Sequence, residues 1–170
     1  MAGNRKLSKP TDLRMAILKN QVSEFLWFGT LTTTVDRAKE IKKLAEKYIT
    51  LAVNTYEDTV TVNKTKKNLK GETISVEFTN DGPKKLAARR QLMASLIDIQ
   101  EKKGDKESKS AYKDRTKEVA HPLVEKLFND YAPKYAERAK ELGQGGGYTR
   151  ILRVENRLGD NANMVILQLV

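Results

Sequence analysis

The sequence contains no cysteine and a single histidine, His121, which directly precedes Pro122. Without cysteine, a chain has no disulfide framework, no thiol nucleophile and no cysteine-based metal site. One histidine is too few for a zinc site or for histidine-based nucleophilic catalysis. The carboxylates alternate with lysines in stretches such as 40–46, which is typical of a solvated helix surface. These residue types predict that the protein is not an enzyme and that it holds no metal or cofactor.

Long apolar runs are also missing, since no stretch approaches the roughly 18 residues that a membrane-spanning helix needs. Aromatic residues make up only 6% of the chain and are scattered. The beginning of the sequence lacks the apolar core of a secretory signal peptide. These features predict a cytoplasmic protein with no membrane partner. A length of 170 residues suits a single domain, 1–170, with a sizeable core.

Positive charge is abundant and unevenly placed. The chain has 32 Lys and Arg against 22 Asp and Glu, a net charge of +10. An excess of this size predicts an acidic partner, and nucleic acid fits best because dispersed Lys and Arg neutralise phosphates well. Residues 1–10 contain Arg5, Lys6 and Lys9 and no acid, so they are expected to form an exposed arm. The segment 54–82 has four Lys and five acids, which favours the arm as the RNA contact.

Hydrophobic periodicity predicts helices with a few short strands. The predicted order is a helix from Thr11 or Asp12 to Gly29, a strand at 31–33, a helix at 35–52, a β-hairpin inserted at 54–82, a helix from Pro83, a helix from Pro122 that Pro133 breaks, and strands at 148–154 and 164–170. The charged stretch 101–118 is expected to be a solvated helix extension or a flexible loop. The order indicates an α+β fold of two layers, with helices packed on one face of a small three-stranded mixed sheet and an extended basic N-terminal arm.

Several large apolar side chains are expected in the core. In the first helix these include Leu13, Trp27 and Phe28, and in the helix from Pro83 they are Leu86, Leu92 or Met93, Leu96 and Ile97.

Further basic residues are candidate RNA contacts outside the arm. They are Arg14 and Lys19, the pair Arg89 and Arg90, and Arg150, Arg153 and Arg157 near the last strands. Arginine suits this role because its planar guanidinium meets phosphate bidentately and stacks on bases. Two other functions remain open from the residues alone. Duplex-DNA binding is disfavoured because the strand-like LTTT at 31–34 separates the first two helices, unlike a helix-turn-helix. An enzyme is suggested only by Gly143 and 145–147, which follow a helix and precede a strand, the reverse of a phosphate loop.

The sequence resembles one family from end to end. Its landmarks are RKLSKPTDLR at 5–14, TTTVDRAKE at 32–40, ITLA at 49–52, AARRQ at 87–91, KLFNDYAPKYAER at 126–138, GGYTRIL at 146–152 and RLGDNANM at 157–164. These stretches are similar to the bacterial ribosomal protein numbered seventeen of the large subunit. Relative to short members, the segments 54–82 and 101–118 are insertions. The chain also departs from the family pattern at Ser8, where members have glycine, and at Leu13, where they usually have His or Gln.

The resemblance implies a structural protein without catalytic activity, bound as a single copy to large-subunit rRNA near the peptide-tunnel exit and touching neighbouring ribosomal proteins. It implies a cytoplasmic location in the large ribosomal subunit, and a helix-and-sheet domain whose N-terminal extension lies on rRNA. It also adds candidates from the landmarks. The complete predicted RNA-binding set is Arg5, Lys6, Lys9, Arg14, Lys19, Asn20, Arg37, Arg89, Arg90, Tyr148, Thr149, Arg150, Arg153 and Arg157.

Overall fold

A computed structural model describes residues 5–67, 73–117 and 119–170. The elements are α1 (Thr11–Phe28), β1 (Thr30–Thr34), α2 (Val35–Val53), β2 (Thr59–Lys67), β3 (Thr73–Asp81), α3 (Pro83–Ser95), α4 (Lys109–Thr116), α5 (Pro122–Lys126), a π-helical segment (Leu127–Tyr131), α6 (Ala132–Leu142), β4 (Thr149–Arg153) and β5 (Met164–Leu169). This mixture of helices and small sheets confirms the predicted α+β class.

The main sheet has three strands in the order β1-β5-β4, and every pair is antiparallel. The prediction of a mixed sheet was therefore wrong. The register shows the direction: the partners on β5 run backwards from Gln168 to Met164 along β1, and from Leu169 to Val165 along β4. The loop between β4 and β5 returns the chain beside itself as a hairpin does, which allows only antiparallel pairing.

Helices cover one face of this sheet and leave the other open. On the covered face, Thr33, Val165 and Leu167 are buried against α2, which contacts all three strands. On the opposite face, Thr32 is exposed and Leu152 is 43% exposed. Alternation along each strand separates the two faces, as the pleat requires. The domain therefore has two layers over the residues described.

The core lies among α1, α2, α3, α5, the π-helical segment and α6, over the covered face of the main sheet. Leu18, Val22 and Phe25 form the buried stripe of α1, and helical spacing places Leu13 and Phe28 away from that stripe. Leu13 and Phe28 are 52% and 59% exposed, so the expectation that they are buried was wrong. In α3 and the turn after it, only Ala88, Leu92 and Leu96 are buried. The other predicted inward residues, Leu86, Met93 and Ile97, are partly exposed.

Proline 133 does not break the helical chain as predicted. The backbone continues from α5 through the π-helical segment into α6, and Pro133 lies in the first turn of α6. The Ala132 N–H bonds to the Leu127 carbonyl five residues earlier, which widens the turn just before the proline. The widened turn thus lies directly before the residue that cannot donate an N–H, and the chain stays helical through Pro133. Tyr135 and Ala136 are therefore buried on a continuing helix.

The predicted hairpin at 54–82 is present as β2 and β3, paired from Thr59 with Asp81 to Lys67 with Thr73. Its turn, including Gly71, lies outside the described residues. The hairpin is joined to α3 at its base, where the Asp58 carboxylate accepts hydrogen bonds of 2.7 and 3.2 Å from the Lys84 and Lys85 N–H groups. These bonds satisfy two free donors at the start of α3.

The charged stretch 101–118 is neither a continuation of α3 nor a structureless loop. The helix α3 ends at Ser95, and α4 begins after Ser108, whose hydroxyl accepts a hydrogen bond of 3.1 Å from the Ala111 N–H. Serine favours such a start because it satisfies a free N–H of the first turn. No residue of α4 is buried. The last residue of this stretch, Glu118, lies outside the part of the chain that the structure describes.

Candidate nucleic-acid interface

The N-terminal arm was predicted to be exposed and extended, and its described part, 5–10, forms a tight turn. Leu7 and Ser8 have φ angles of 54° and 52°, and the Lys9 N–H donates a 3.1 Å hydrogen bond to the Lys6 carbonyl. Leu7 packs against the core, whereas Lys6 and Lys9 are exposed on either side of it. The turn therefore fixes two lysines at the start of α1.

Arg5 anchors this turn to α2. Its guanidinium forms an ion pair with Asp36 in the first turn of α2 and lies 3.9 Å from the buried carboxylate of Glu40. Lys43 also reaches Glu40, at 3.1 Å. A buried carboxylate needs such partners because removing it from water is costly. The charge of Arg5 is thus neutralised by acids of the protein itself. Lys6 and Lys9, in contrast, form no ion pair among the described residues.

The turn forms one wall of an open cleft of about 600 Å³. The lining comes from the arm, from the start of α2 and from the loop between β4 and β5, and comprises Leu7, Ser8, Thr34, Val35, Asp36, Arg37, Arg157, Asp160, Ala162 and Asn163. Three of the sequence landmarks therefore meet at one place. We call this surface, with Lys6, Lys9 and Arg153 at its edges, the basic cleft.

A second hollow of about 320 Å³ continues the basic cleft toward the end of β4. The two hollows share Val35 and Asn163, and Arg153 lines the second one. Neither Arg37 nor Arg153 forms an ion pair with another described residue. Because nothing neutralises them within the described protein, both guanidinium groups can accept an external anion.

The loop between β4 and β5 is held in shape by Arg157 and Asp160. The Arg157 Nε donates a 2.8 Å hydrogen bond to Asp160, and Asn161 turns the backbone with a φ angle of 51°. The hydrogen bond from Arg157, helped by the Ala162 N–H, lowers the pKa of Asp160 to about 2. Asp160 is thus charged at neutral pH and offsets Arg157, which makes Arg157 mainly a loop-shaping residue with one face on the basic cleft.

Two landmark residues are buried. Tyr148 is 4% exposed and stacks on Tyr135 with ring centroids 4.7 Å apart. Thr149 is 5% exposed and donates a 2.8 Å hydrogen bond to the Glu46 carboxylate. Neither side chain reaches the surface, so the structure does not support direct RNA contacts for them.

Arg89 also makes its contacts within the protein. Its guanidinium pairs with Asp81 at the end of β3 and with Glu125 in α5, and it lies 5.2 Å from the centre of the Phe128 ring. Partial burial would raise the pKa of Asp81, but the hydrogen bonds and charge of Arg89, helped by Lys85, outweigh burial and lower the pKa. Arg89 therefore links the hairpin to the helices.

The remaining candidates are dispersed. Arg14 is half-buried in the first turn of α1, Lys19 donates a 2.9 Å hydrogen bond to the Ala94 carbonyl, and Asn20 is exposed. Arg90 is exposed on α3. Arg150 on β4 lies opposite Gln168 on β5 and donates hydrogen bonds of 3.0 and 3.2 Å to its side-chain oxygen. These residues do not line the basic cleft.

Sequence reasoning missed three residues, two at the basic cleft and one at the other end of β4. Ser8 and Asn163 line the basic cleft, and both belong to quoted landmarks, so the landmarks themselves carried the signal. Arg138 donates a 3.1 Å hydrogen bond to the Gly147 carbonyl and so holds the glycine-rich turn before β4.

Across the described ranges, no three His, Cys, Asp or Glu side chains are grouped in a way that could hold a metal ion. In the same ranges, no helix has both the length and the apolar character needed to cross a bilayer.

The family described as Ribosomal protein L17 matches residues 17–170 of the chain. The chain belongs to this family. Proteins named large ribosomal subunit protein bL17 from Lachnospira eligens and Clostridium tetani are both 38% identical to it, over 189 and 170 aligned residues. Each alignment covers 100% of this chain and 100% of the relative, and so includes the arm, the hairpin and the charged segment.

Members of this family are structural components of the ribosome. The chain is therefore a structural ribosomal protein and not an enzyme, which confirms the prediction made from its residue types. The glycines at 143 and 145–147, which suggested the enzymatic alternative, form the exposed turn before β4. The family membership excludes that alternative.

Proposed function

We propose that this single-domain protein packs large-subunit rRNA and that the basic cleft is its main RNA-binding surface. The observation that carries the proposal is the meeting of the arm, the start of α2 and the loop between β4 and β5 around one open cleft. Its RNA-binding residues are Lys6, Lys9, Arg37 and Arg153, with Arg157 shaping the cleft. The protein acts in the cytoplasm as one copy in each large subunit.

The charge balance of the cleft supports RNA as the ligand. Asp36 and Asp160 are neutralised by Arg5 and Arg157, whereas the other cations at the cleft form no ion pair with a described residue. Binding phosphates there releases condensed counterions and strengthens association at low salt. The open shape suits a folded RNA backbone better than a small molecule, which prefers an enclosed apolar pocket.

The position near the peptide-tunnel exit and the contacts with neighbouring ribosomal proteins rest on the family resemblance. The open face of the main sheet is suited to a protein neighbour. Leu152 is 43% exposed on this face, which also carries the exposed residues Thr32 and Arg150. Such a mixture of apolar and polar side chains is typical of protein interfaces.

Replacing Lys6, Arg37 and Arg153 together by Gln tests the main proposal. Binding to a transcript of large-subunit rRNA is measured at several salt concentrations. If all three contact phosphates, the slope of log affinity against log salt becomes shallower by about two to three. The domain should remain folded, since none of the three side chains is buried.

The matched control replaces Lys39, Lys47 and Lys140 by Gln. These lysines are exposed and lie away from the cleft lining, and their replacement by Gln removes the same charge. Equal slopes for the two triple variants would contradict the proposal. A wild-type protein that binds duplex DNA as tightly as the transcript, at one salt concentration, would favour the DNA-binding alternative instead.

A further inference from the structure

The charged segment at 101–117 is folded around one arginine. Arg115 lies on α4 and forms ion pairs with both Glu101 and Glu107, the second at 3.1 Å. Tyr112, one turn earlier, donates a 2.8 Å hydrogen bond to the Glu101 carbonyl, and the Arg115 guanidinium lies 5.7 Å from its ring centre. The segment therefore has its own polar framework although α4 buries nothing in the core.

This framework sorts the charges of the segment. Arg115 and Tyr112 face the chain that precedes α4, where Arg115 pairs with two carboxylates and Tyr112 bonds to a backbone carbonyl. Lys109, Lys113 and Lys117 follow one another at intervals of four residues, so they share a different face of the helix. All three are exposed and form no ion pair with a described residue. We call these three residues the lysine stripe.

The acid nearest to the stripe does not cancel it. Asp114 is the only acid within α4, and at about 100° per residue it projects about 100° from the middle of the lysine stripe. Its nearest described polar partner is Ser110, with 3.5 Å between the hydroxyl and the carboxylate. The folded segment therefore presents, on one side of a short helix, three positive charges that no described acid pairs with.

The lysine stripe and the basic cleft belong to opposite ends of α1. Glu101, at the base of the segment, lines a hollow with Trp27 in the last turn of α1, while the arm turn lies just before the first turn. At about 1.5 Å per residue, the 18 residues of α1 span about 27 Å. The lysine stripe and the basic cleft are therefore too far apart to form one cluster of RNA-binding side chains.

We propose that the lysine stripe is a second RNA-binding surface, which contacts the phosphate backbone of rRNA at a separate place from the basic cleft. This inference rests on the proposed function, because it takes the same RNA as the ligand. The stripe carries no apolar side chain between its lysines, whereas the centre of a protein interface is rich in apolar and aromatic residues. Three flexible ammonium groups on a fixed helix suit phosphates, which they bind as point charges.

Gln in place of Lys109, Lys113 and Lys117 removes the stripe. Gln has nearly the helix propensity of Lys, so α4 should persist and the circular dichroism spectrum should not change. The probe is the same rRNA transcript, titrated with the full chain across a range of salt. The salt slope should become shallower by about two to three, and affinity at about 0.1 M salt should fall by about tenfold to a hundredfold. Arg at the same three positions should restore both values, because it keeps the charge.

The control for net charge is again the Gln variant at Lys39, Lys47 and Lys140. If the stripe variant and this control bind the transcript equally, the second surface is refuted. That result differs from failure of the proposed function, in which the wild-type chain itself shows no salt-dependent preference for the transcript. Loss of binding in the basic-cleft variant, with none in the stripe variant, overturns only the present inference. An equal loss with duplex DNA as the probe also overturns it, since the stripe would then be a general attractor of polyanions.

Discussion

Tyr135 of α6 stacks on Tyr148 just before β4, with ring centroids 4.7 Å apart and an interplanar angle of 53°. Tilted rings at this distance are favourable because the positive edge of one meets the negative face of the other. The pair joins the last helix to the main sheet where the glycine-rich turn ends. Both rings are buried, yet the Tyr135 hydroxyl has no hydrogen-bond partner among the described residues.

Replacing Tyr135 by Phe should therefore leave stability unchanged or raise it. The change keeps the stacked ring and removes a buried hydroxyl, whose burial without a partner costs about 1–3 kcal/mol. We expect the free energy of unfolding, measured in urea, to rise by up to about 1 kcal/mol. The gain is smaller than the full cost of the buried hydroxyl because the residues around the smaller side chain relax only in part.

The matched control is Tyr131→Phe, one turn earlier. The Tyr131 hydroxyl donates a 2.8 Å hydrogen bond to the Leu26 carbonyl, so its removal should cost about 0.5–1.5 kcal/mol. Burial raises the pKa of Tyr131 to about 12, so the hydroxyl is protonated throughout the neutral range. A larger loss of stability for the Tyr135 variant than for the Tyr131 variant would show that the Tyr135 hydroxyl has a partner.

The sequence predicted the elements well, but it did not show which landmark residues are buried. Periodicity located α1 and α2 because their apolar side chains recur at helical spacing, but it placed Phe28 in the core although that side chain is 59% exposed. The motif GGYTR pointed to Tyr148 and Thr149 as RNA contacts, whereas both are buried. A motif records that residues recur together, and packing can require this as strongly as binding does.

The basic cleft could not be derived from the sequence because it depends on tertiary neighbours. Arg37 and Arg89 look alike in the sequence, but Arg89 meets Asp81 and Glu125 in the fold, whereas Arg37 opens onto the cleft. Only the three-dimensional position of the acids separates Arg89, which they pair with, from Arg37, which pairs with no described acid.

Ser23→Ala should be more destabilising than its small size suggests. The Ser23 hydroxyl is buried in α1, donates to the Lys19 carbonyl at 2.9 Å and accepts a 2.8 Å hydrogen bond from the Ile97 N–H. Alanine would leave that N–H without its partner, which costs about 1–3 kcal/mol. Urea unfolding measures the loss. The exposed Ser110→Ala serves as control and should change stability by less than about 0.5 kcal/mol.

Gly82→Ala should loosen the base of the hairpin. A Cβ at this position would lie 2.5 Å from the Asp58 carboxylate, which must then move away from the Lys84 and Lys85 N–H groups that it caps. Loss of such a cap costs about 0.5–2 kcal/mol. The backbone itself is not strained, because Gly82 has a φ angle of −71°.

A double-mutant cycle isolates this mechanism. In a chain that already carries Asp58→Ala, the Gly82→Ala change has no carboxylate to displace and should cost much less. Additive losses from the two substitutions would mean that Gly82 acts on the hairpin in another way.

Stability in acid should depend on Asp81. Its folded pKa lies below the ordinary value of 3.8, so the charged form stabilises the fold above that pH, and this contribution is lost as the pH falls through the folded pKa. The groups facing it are Arg89 and Lys85, and Arg89 also pairs with Glu125. We expect Asp81→Asn to be less stable than the wild type at pH 7, with the difference shrinking below about pH 4. Urea unfolding at pH 7 and at pH 3 measures it, since urea does not screen charges. Asp160→Asn is the control, because Asp160 also has a lowered pKa but lies in an exposed turn. If the difference in unfolding free energy between wild type and Asp81→Asn is the same at both pH values, this ion pair does not hold the hairpin to the helices.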